Sequence, residues 1–458
     1  MAKMLPVENK GNTYKLDKWI KEKIGDKSKD ESFDRNKLKE FQLKKIRDTI
    51  FSAKTNSLFY QKLLKHINPE NISDFEDLQK IPFTTERDII NNGLGFLCTN
   101  PNNIHRIVTL NTSGTSGTRK RIFFTEEDQE LTKDYFNHGM RTIVDPGDWV
   151  LILMPAVRPG SVGDLLSTAL RRFDCCGIPY GPVDDYDQVL NMILNQNIEG
   201  IVGNPIQVYR LARLKEFKYP YLKTKLKCIL LSSDYASPTL ILAIKNGFQC
   251  DVFDHYGMTE MGLGGGLECR HHSGYHMREA DMYFEIIDPD TKKTVPDGSF
   301  GEIVFTTLTR KGMPLIRYRT GDYSKFINQP CSCGTNLKTL QRISFRLGQE
   351  IFINRHMLTI NMLDDLLFNH IRLLDYEAVL TKEENKNCLT IFAEFLGKGS
   401  DSDFDELHRI FKKSDLISKL MSRNDFIIKF VSAGQKTEIN QTAGKRKIID
   451  LRNSLGAG

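Results

Sequence analysis

Short apolar runs alternate with helix-like segments through the middle of the chain, and this alternation constrains the fold more than any other feature of the sequence. The apolar runs lie at 150–154, 200–202, 228–231 and 252–253, and the helical patterns between them lie at 161–172, 206–216 and 237–246. Strands that alternate with helices are typical of a parallel sheet with helices on its faces. The sequence therefore predicts an α/β fold.

The segments on either side of this region predict further elements. Residues 35–66 carry apolar residues at helical spacing, which predicts an N-terminal helical element. Strand-like runs at 282–288 and 301–307 are joined by turn-forming proline, glycine and aspartate residues. We therefore expect mainly parallel sheets flanked by helices, with a small antiparallel β subdomain beside them.

A change of pattern near residue 343 predicts a domain boundary. The residues that follow have a separate α+β pattern, with helices predicted at 361–370 and 403–422. We expect a large N-terminal domain over 1–345. A smaller, mobile α+β C-terminal domain is predicted over 346–458.

The composition excludes several kinds of partner and environment. Because 64 basic residues nearly match 58 acidic ones and form no dense basic tract, we expect no nucleic-acid partner. The polar N-terminus lacks the apolar core of a signal peptide, and the longest apolar run, 150–157, is too short to span a bilayer. The nine cysteines, an odd number, favour reduced thiols over a secreted disulfide framework. We therefore predict a cytoplasmic protein with no membrane association.

A loop rich in hydroxyls and glycines at 112–120 predicts contact with a polyphosphate. Glycines let the backbone approach anionic oxygens, hydroxyls and peptide N–H groups donate to them, and the cations at the end of the loop offset their charge. The spacing is not that of a Walker loop, and a mobile surface linker is the alternative. The residues assigned to phosphate binding are Thr112, Ser113, Gly114, Thr115, Ser116, Gly117 and Lys120.

Two distant motifs narrow this interpretation. The first reads DHYGMTEMG at 254–262, and the second reads PLIRYRTGD at 314–322. Together with the loop at 112–120, and in this order, they resemble the motifs of the adenylate-forming superfamily, with the closer likeness to its phenylacetate-CoA ligase branch. The likeness also passes through IPFTT at 81–85 and GEIVFTTLT at 301–309, so it covers most of the chain.

The resemblance implies a reaction and its partners. The expected reaction is activation of an aromatic or other small carboxylic acid with ATP, release of pyrophosphate from the acyl-adenylate, and acyl transfer to the thiol of CoA. One alternative is an enzyme that loads a carrier-protein thiol or transfers AMP to another acceptor. A second alternative is a catalytically degenerate nucleotide-binding regulator. A homodimer is also considered.

The resemblance assigns roles to the residues of the two motifs. Tyr256, followed by Gly257 in the nucleotide site, would stack on adenine. Thr259 would donate to the α-phosphate, and Glu260 would help to hold Mg²⁺ through a hard oxygen ligand. Asp322 would accept hydrogen bonds from the ribose hydroxyls. Helix capping by Glu260 and turn formation by Asp322 are the structural alternatives.

The same likeness assigns roles near the C-terminus. Arg346 lies where the family has an arginine that contacts the nucleotide just before the interdomain hinge. The hinge aspartates of the family are missing here, but Gly348 could absorb the backbone rotation of a hinge. Lys445 would insert beside the α-phosphate and the acyl carboxylate as a mobile cation. A solvated basic tail is the alternative for Lys445.

Further residues are expected around the two substrates. Ser233 and Asp234 stand where related ligases have Gly-Ala-Glu, and we expect them to line the adenine pocket. The expected acyl pocket is based partly on the Thr-Pro-Ser segment of the family and partly on an aromatic ring that could equally be packed in the core. The residues assigned to the acyl pocket are Gly203, Asn204, Pro205 and Tyr135.

Cysteines and histidines predict a second kind of site. Two cysteines one residue apart in a predicted loop, together with a remote Cys/His pair, could form a four-ligand structural Zn²⁺ site. The Cys-x-Cys-Gly feature also recurs in the resembled ligase branch, and reduced loop cysteines are the alternative. Four protein ligands would leave such a metal no open position for catalysis. The expected ligands are Cys269, Cys331, Cys333 and His276, with His271 and His272 as alternatives to His276.

Overall fold

The structure is a computed structural model that describes residues 15–30, 32–111, 119–421, 425–435 and 446–452. Within these ranges the chain forms a helical N-terminal part, a large mixed sheet, an antiparallel subdomain and a C-terminal α+β unit. Seven of the residues assigned from the sequence lie outside the described residues: Thr112, Ser113, Gly114, Thr115, Ser116, Gly117 and Lys445.

The N-terminal part is helical, as predicted over 35–66. One helix ends and the next begins at Ser57. Its hydroxyl accepts a hydrogen bond from the Tyr60 N–H (3.2 Å) and donates to the Gly95 carbonyl (2.8 Å). An N-cap of this kind begins a new helix because it satisfies an amide of the first turn. The helices are α1 (Lys15–Ile24), α2 (Arg35–Asn56), α3 (Leu58–Leu63) and α4 (Glu86–Asn92).

The largest sheet has eight strands in the order β13-β9-β8-β7-β6-β5-β3-β4. Its strands are β3 (Trp149–Leu153), β4 (Cys176–Pro179), β5 (Gly200–Gly203), β6 (Cys228–Leu231), β7 (Asp251–Tyr256), β8 (Gly266–Glu268), β9 (Tyr275–Met277) and β13 (Thr339–Leu340). The five neighbouring strands β4, β3, β5, β6 and β7 are parallel to one another. The pairs β7–β8, β8–β9 and β9–β13 are antiparallel. The predicted parallel core is confirmed. The edge strand β4 was missed because it contains glycine and proline, and proline is tolerated at such an edge.

Helices connect and cover these strands. They are α5 (Glu126–Met140), α6 (Val162–Arg171), α7 (Tyr186–Asn195), α8 (Pro205–Lys218) and α9 (Pro238–Phe248). A hairpin of β1 (Arg106–Asn111) and β2 (Arg119–Phe124) precedes α5. The helices predicted at 161–172, 206–216 and 237–246 are confirmed to within a few residues. None of the helices in the described ranges is both long enough and apolar enough to cross a lipid bilayer.

The predicted antiparallel subdomain is a four-stranded sheet in the order β10-β11-β12-β14. Its strands are β10 (Met282–Ile287), β11 (Gly301–Thr307), β12 (Tyr318–Ser324) and β14 (Phe345–Arg346). The pairing of β12 with β14 places Asp322 opposite Arg346. The subdomain therefore brings together two residues that the sequence assigned separately to the nucleotide.

The C-terminal unit is an α+β unit, as predicted. Its elements are β15 (Ile351–Ile353), β16 (His356–Leu358), α10 (Ile360–Leu367), β17 (Leu373–Glu383), β18 (Lys386–Phe395), α11 (Asp401–Lys412), α12 (Asp415–Met421), β19 (Phe426–Ser432) and β20 (Ile449–Asp450). The single helix predicted over 403–422 is wrong. Two helices form there because the hydroxyl of Ser414 accepts from the Ile417 N–H (3.4 Å), which starts α12.

The C-terminal unit packs on α8 and α9 through a shared apolar core. The phenol of Tyr209 donates to the Leu373 carbonyl (2.7 Å), and its ring meets Phe368 edge-on. An ion pair between Arg210 on α8 and Glu394 on β18 lies at the same interface. The hinge residue Gly348 has φ 80°, a backbone conformation that favours glycine. The predicted mobility of this unit stays a prediction.

Candidate active site

A polar cleft of about 830 Å³ lies at the carboxyl ends of β6 and β7, where open α/β sheets bind ligands. Six of its lining residues were assigned to the nucleotide from the sequence: Ser233, Asp234, Tyr256, Gly257, Asp322 and Arg346. The antiparallel subdomain and the C-terminal unit supply the opposite walls. The fold therefore gathers these six assigned residues around one cavity.

Tyr256 and Asp322 are held together in the wall of this cleft. The Tyr256 phenol donates to Asp322 Oδ2 at 3.0 Å. Burial and the neighbouring Asp322 carboxylate raise the pKa of Tyr256 well above its usual value, so the phenol remains a donor. Arg346 lies across from Asp322 and donates from Nη2 to the Thr320 carbonyl at 3.3 Å. The three side chains thus have defined positions without a ligand.

Gly203, Asn204 and Pro205, which the Thr-Pro-Ser analogy assigned to the acyl pocket, form the junction between β5 and α8. Asn204 caps α8 by accepting from the Ile206 N–H (3.0 Å), and its amide donates to Ser233 Oγ (3.3 Å). Gly203 ends β5, and Pro205 begins α8. These three residues are not among those that line the apolar cavity described below, where Val202 forms part of the wall. Their assignment to the acyl pocket stays a prediction.

Glu260 lies beside a buried cation. Lys120 Nζ is 2.5 Å from Glu260 Oε1 and 2.5 Å from Glu86 Oε1, while the Tyr318 phenol donates to Glu260 at 3.3 Å. Burial alone would raise the pKa of Glu260, but the Lys120 ammonium lowers it below the usual value. The half-buried Thr259 precedes Glu260 in a short 3₁₀ turn, Thr259–Met261. Lys120, assigned to phosphate, is here the counter-ion of two carboxylates.

A second, apolar cavity of about 460 Å³ adjoins the cleft. Tyr135 lines it, and its ring is almost fully buried; its assignment to the acyl pocket stays a prediction. His255 lies in the wall of both cavities. Its Nδ1 is 3.0 Å from Ser232 Oγ, and burial lowers the pKa of His255 to about 4, so the imidazole is neutral. One sequence feature could have identified His255, because it directly precedes the assigned Tyr256 on an apolar strand.

Arg446 marks where the C-terminal segment reaches the cleft. It lines the cleft, and its Nη1 lies 2.6 Å from Asp364 Oδ1. The guanidinium carbon also lies 4.5 Å from the centre of the Tyr376 ring. The solvated basic tail that was the alternative for Lys445 does not describe Arg446, which is half-buried and paired. The residue directly before it in sequence is Lys445.

The four predicted metal ligands come together on the other side of β8 and β9. The ligand atoms of Cys269, His276, Cys331 and Cys333 all lie within 4.8 Å of one another. Cys269 Sγ is 3.6 Å from Cys331 Sγ, and Cys333 Sγ is 3.3 Å from His276 Nε2. Of the three candidate histidines, the structure brings His276 into the cluster.

The donor set matches the geometry that zinc prefers. Zinc–sulfur bonds of about 2.3 Å in a tetrahedron place two sulfurs about 3.8 Å apart, close to the separation of Cys269 and Cys331. His276 Nδ1 is 3.1 Å from Thr339 Oγ1, a contact that turns Nε2 towards the sulfurs. The His271 N–H also points at Cys269 Sγ, at 3.4 Å. The cluster could hold Zn²⁺ through these four side chains.

Comparison with known proteins places the chain in a family. Residues 42–308 match the AMP-binding enzyme family, and they make up more than half of the chain. The protein belongs to this family. It lies near the phenylacetate-CoA ligases within the adenylate-forming proteins, as the motifs predicted.

Two curated relatives and one solved structure define this position. The phenylacetate-coenzyme A ligase of Aromatoleum evansii is 25% identical over 397 residues, which cover 81% of this chain and 84% of the relative. That of Escherichia coli (strain K12) is 22% identical over 436 residues, which cover 92% and 97%. A 2-hydroxyisobutyryl-CoA ligase solved in the postadenylation state, with an adenylate bound, superposes with a TM-score of 0.75 at 18% identity and covers 91% of this chain and 89% of its own. The predicted fold, including a C-terminal domain, is therefore confirmed.

Proposed function

We propose that the protein activates a carboxylic acid with ATP and then transfers the acyl group to the thiol of CoA. The observation that carries this proposal is that the two cavities share a wall residue. His255 lines both, so an acid in the apolar cavity would present its carboxylate to the polar cleft. Family membership and the phenylacetate-CoA ligase relatives support the same reaction.

The cleft has the groups that an adenine nucleotide needs. Tyr256 offers a ring to the adenine, and the Asp322 carboxylate, held by the Tyr256 phenol, would accept from the ribose hydroxyls. Arg346 carries a positive charge in the same wall. These side chains act by position and electrostatics, which supply most of the catalysis in phosphoryl and nucleotidyl transfer.

In the first half-reaction, a carboxylate oxygen attacks the α-phosphorus, the bond from that phosphorus to the β-phosphate bridge breaks, and pyrophosphate leaves. The residues from Thr112 to Lys120 would hold the leaving phosphates, and Thr259 would donate to the α-phosphate. Lys445 would enter from the segment that Arg446 anchors at the cleft and neutralise charge on both reacting oxygens. Mg²⁺, when bound at Glu260, would supply further charge neutralisation on the phosphates.

In the second half-reaction, the CoA sulfur attacks the acyl carbon, its proton passes to solvent, and AMP leaves. A rotation of the C-terminal unit about the hinge at Gly348 would remove Lys445 and open a path for the thiol. The apolar lining of the second cavity supports an aromatic or other small acid as the substrate.

We further propose that Cys269, His276, Cys331 and Cys333 hold a structural Zn²⁺. The four donors leave no open coordination position, so the metal would join the loops around β8 and β9 rather than take part in catalysis. Helix α1 covers this region through Leu16 and Trp19, which belong to the same buried cluster as Cys269 and Cys331.

One assay tests the proposed reaction. Pyrophosphate release is measured with ATP across a panel of aromatic and small aliphatic carboxylates, with and without CoA, and thioester is measured in the same samples. We expect acid-dependent pyrophosphate release and a thioester that requires CoA. Release of pyrophosphate with thioester formed only on a carrier protein would favour the carrier-loading alternative. Binding of ATP with no release for any acid would favour the regulator.

A further inference from the structure

Glu86 is an acidic residue at the phosphate end of the site that neither motif contains. Its Oε1 lies 2.5 Å from Lys120 Nζ, the same distance that separates Lys120 from Glu260. The side chains of Lys120 and Glu260 are only 7% and 5% exposed, whereas that of Glu86 is 46% exposed. One buried ammonium is thus shared between a buried carboxylate and a partly exposed one.

The backbone fixes the position of Glu86. It is the first residue of α4, which begins with a capping box between Thr85 and Asp88. The residue before this cap, Thr84, is hydrogen-bonded through its N–H to the Arg317 carbonyl and through its carbonyl to the Arg319 N–H, at 3.1 and 2.9 Å. The acid is therefore tied to the start of β12, the strand that also carries Tyr318 and Asp322.

The charges at this point suit an exchange of cations. Two carboxylates surround one ammonium, so the group of three has a formal charge of −1. A divalent cation bound to Glu260 would stand close to the Lys120 ammonium, which contacts Oε1 of the same carboxylate, and the two cations would repel each other. A lysine displaced without a partner in a buried region would be costly. Glu86 is a carboxylate that Lys120 already contacts and can keep.

We propose that Glu86 is a positioning residue of the ATP site, which retains the Lys120 ammonium when Mg²⁺ occupies Glu260. Lys120 then stays beside the phosphates instead of competing with the metal. This inference rests on the proposed ATP-dependent function. It adds a residue outside the recognised motifs and assigns it a role in magnesium dependence.

The experiment compares E86Q and E86D with the wild type. The matched control is E126Q, because Glu126 is also exposed, is also the first residue of a helix, and also follows a threonine capping box. Mg²⁺ is titrated at fixed ATP without any acid, and the rise in melting temperature is the readout. The same titration is then repeated for pyrophosphate release with the most active acid.

In E86Q we expect the Mg²⁺ concentration at half-maximal effect to rise about 2- to 5-fold, as loss of one partly exposed charge partner implies. The rate at saturating Mg²⁺ should stay within about twofold of the wild type. E86D should need a Mg²⁺ concentration close to that of the wild type, and E126Q should resemble the wild type. An unchanged or lower Mg²⁺ requirement in folded E86Q overturns the proposal. The expected shift in melting temperature without pyrophosphate release for any acid would instead contradict the proposed reaction and leave the role of Glu86 standing.

Discussion

The proposed phosphate end of the cleft, at Glu260 after β7, and the Cys/His cluster, at β8 and β9, lie beside neighbouring strands, yet they are built on different principles. At the phosphate end, Lys120 is bound by two carboxylates, one of which is 46% exposed. In the cluster, His276, Cys269 and Cys331 are 0%, 3% and 8% exposed, and α1 packs over them. The first group includes a carboxylate that reaches solvent, whereas three of the four donors of the second are buried.

A buried layer of charge separates the two groups. Glu268 accepts from Arg342 Nη2 at 2.6 Å, and Asp254 accepts from the Tyr275 phenol at 2.6 Å. Fully paired charges of this kind hold β7, β8 and β9 in one arrangement, but each partner depends on the others. The proposed exchange of partners at Lys120 therefore lies near side chains that are held by their own buried pairs.

The largest effect is expected from the double variant Cys331→Ser/Cys333→Ser. Structural zinc sites in small peptides bind with about 10–16 kcal/mol, and here a fraction of that free energy should appear as lost stability because the rest of the core remains. The purified wild type should carry about one zinc per chain, and the variant none, with a lower melting temperature. Metal analysis and thermal unfolding measure both quantities.

The exposed Cys176 provides the control, since Cys176→Ser should keep the metal. Freshly purified, reduced wild type without zinc would contradict the proposed metal. Adenylation at low temperature should survive modest metal loss, because the proposed role of the metal is structural.

The next effect is catalytic and concerns Glu260→Gln. Loss of a positioned charge in a transition-state site costs about 10² to 10³ in rate, or roughly 3–4 kcal/mol. We expect pyrophosphate release to fall by this factor while zinc content is unchanged, which would separate the two regions. Glu216→Gln, on the outer face of α8, serves as a control for general effects of charge removal. Wild-type rates in Glu260→Gln would remove this residue from the mechanism.

A smaller, pH-dependent effect is expected from Asp254→Asn in the layer between the regions. Burial raises the pKa of Asp254 to about 7, although nearby Arg342 opposes this. Between pH 4 and 7 the folded protein therefore keeps a proton that the unfolded chain loses, so this group's contribution to stability falls as pH rises, by about 1.4 kcal/mol per pH unit. From pH 5 to 7 this amounts to about 3 kcal/mol at most.

Urea unfolding at pH 5 and pH 7.5 tests this assignment. Asparagine cannot titrate, so the difference in unfolding free energy between the wild type and Asp254→Asn should shift in favour of the variant at the higher pH. A difference that does not change between the two pH values would show that Asp254 does not hold the extra proton.

The smallest effect is expected from Tyr256→Phe. The variant keeps the ring that would face adenine but loses the hydrogen bond to Asp322, worth about 1–3 kcal/mol when its acceptor is charged. We expect KM for ATP to rise several-fold with little change in kcat. Tyr60→Phe removes another buried phenol, one that contacts Thr84 outside the cleft, and should lower stability without this change in KM. Equal KM values for both variants would argue against a nucleotide role of the Tyr256–Asp322 pair.

Sequence patterns predicted the parts of this protein that depend on local chemistry. The strand and helix alternation predicted the parallel core, and the cysteine spacing with one remote histidine predicted the Cys/His cluster. The split between α11 and α12 was missed because a serine cap competes weakly with a continuous apolar rhythm. His255 was missed because it lies between motif residues, with no spacing of its own to mark it.

The sequence by itself determined which residue types carry the chemistry: a phenol, two motif carboxylates, a hydroxyl-rich loop, and a soft metal-ligand set. Only the tertiary structure decided which of them meet. Lys120 contacts Glu86, 34 positions away, because β2 and α4 pack side by side, and nothing in either local segment specifies that pairing. Local propensity depends on neighbouring residues, whereas the partners of a buried charge are set by how distant segments pack.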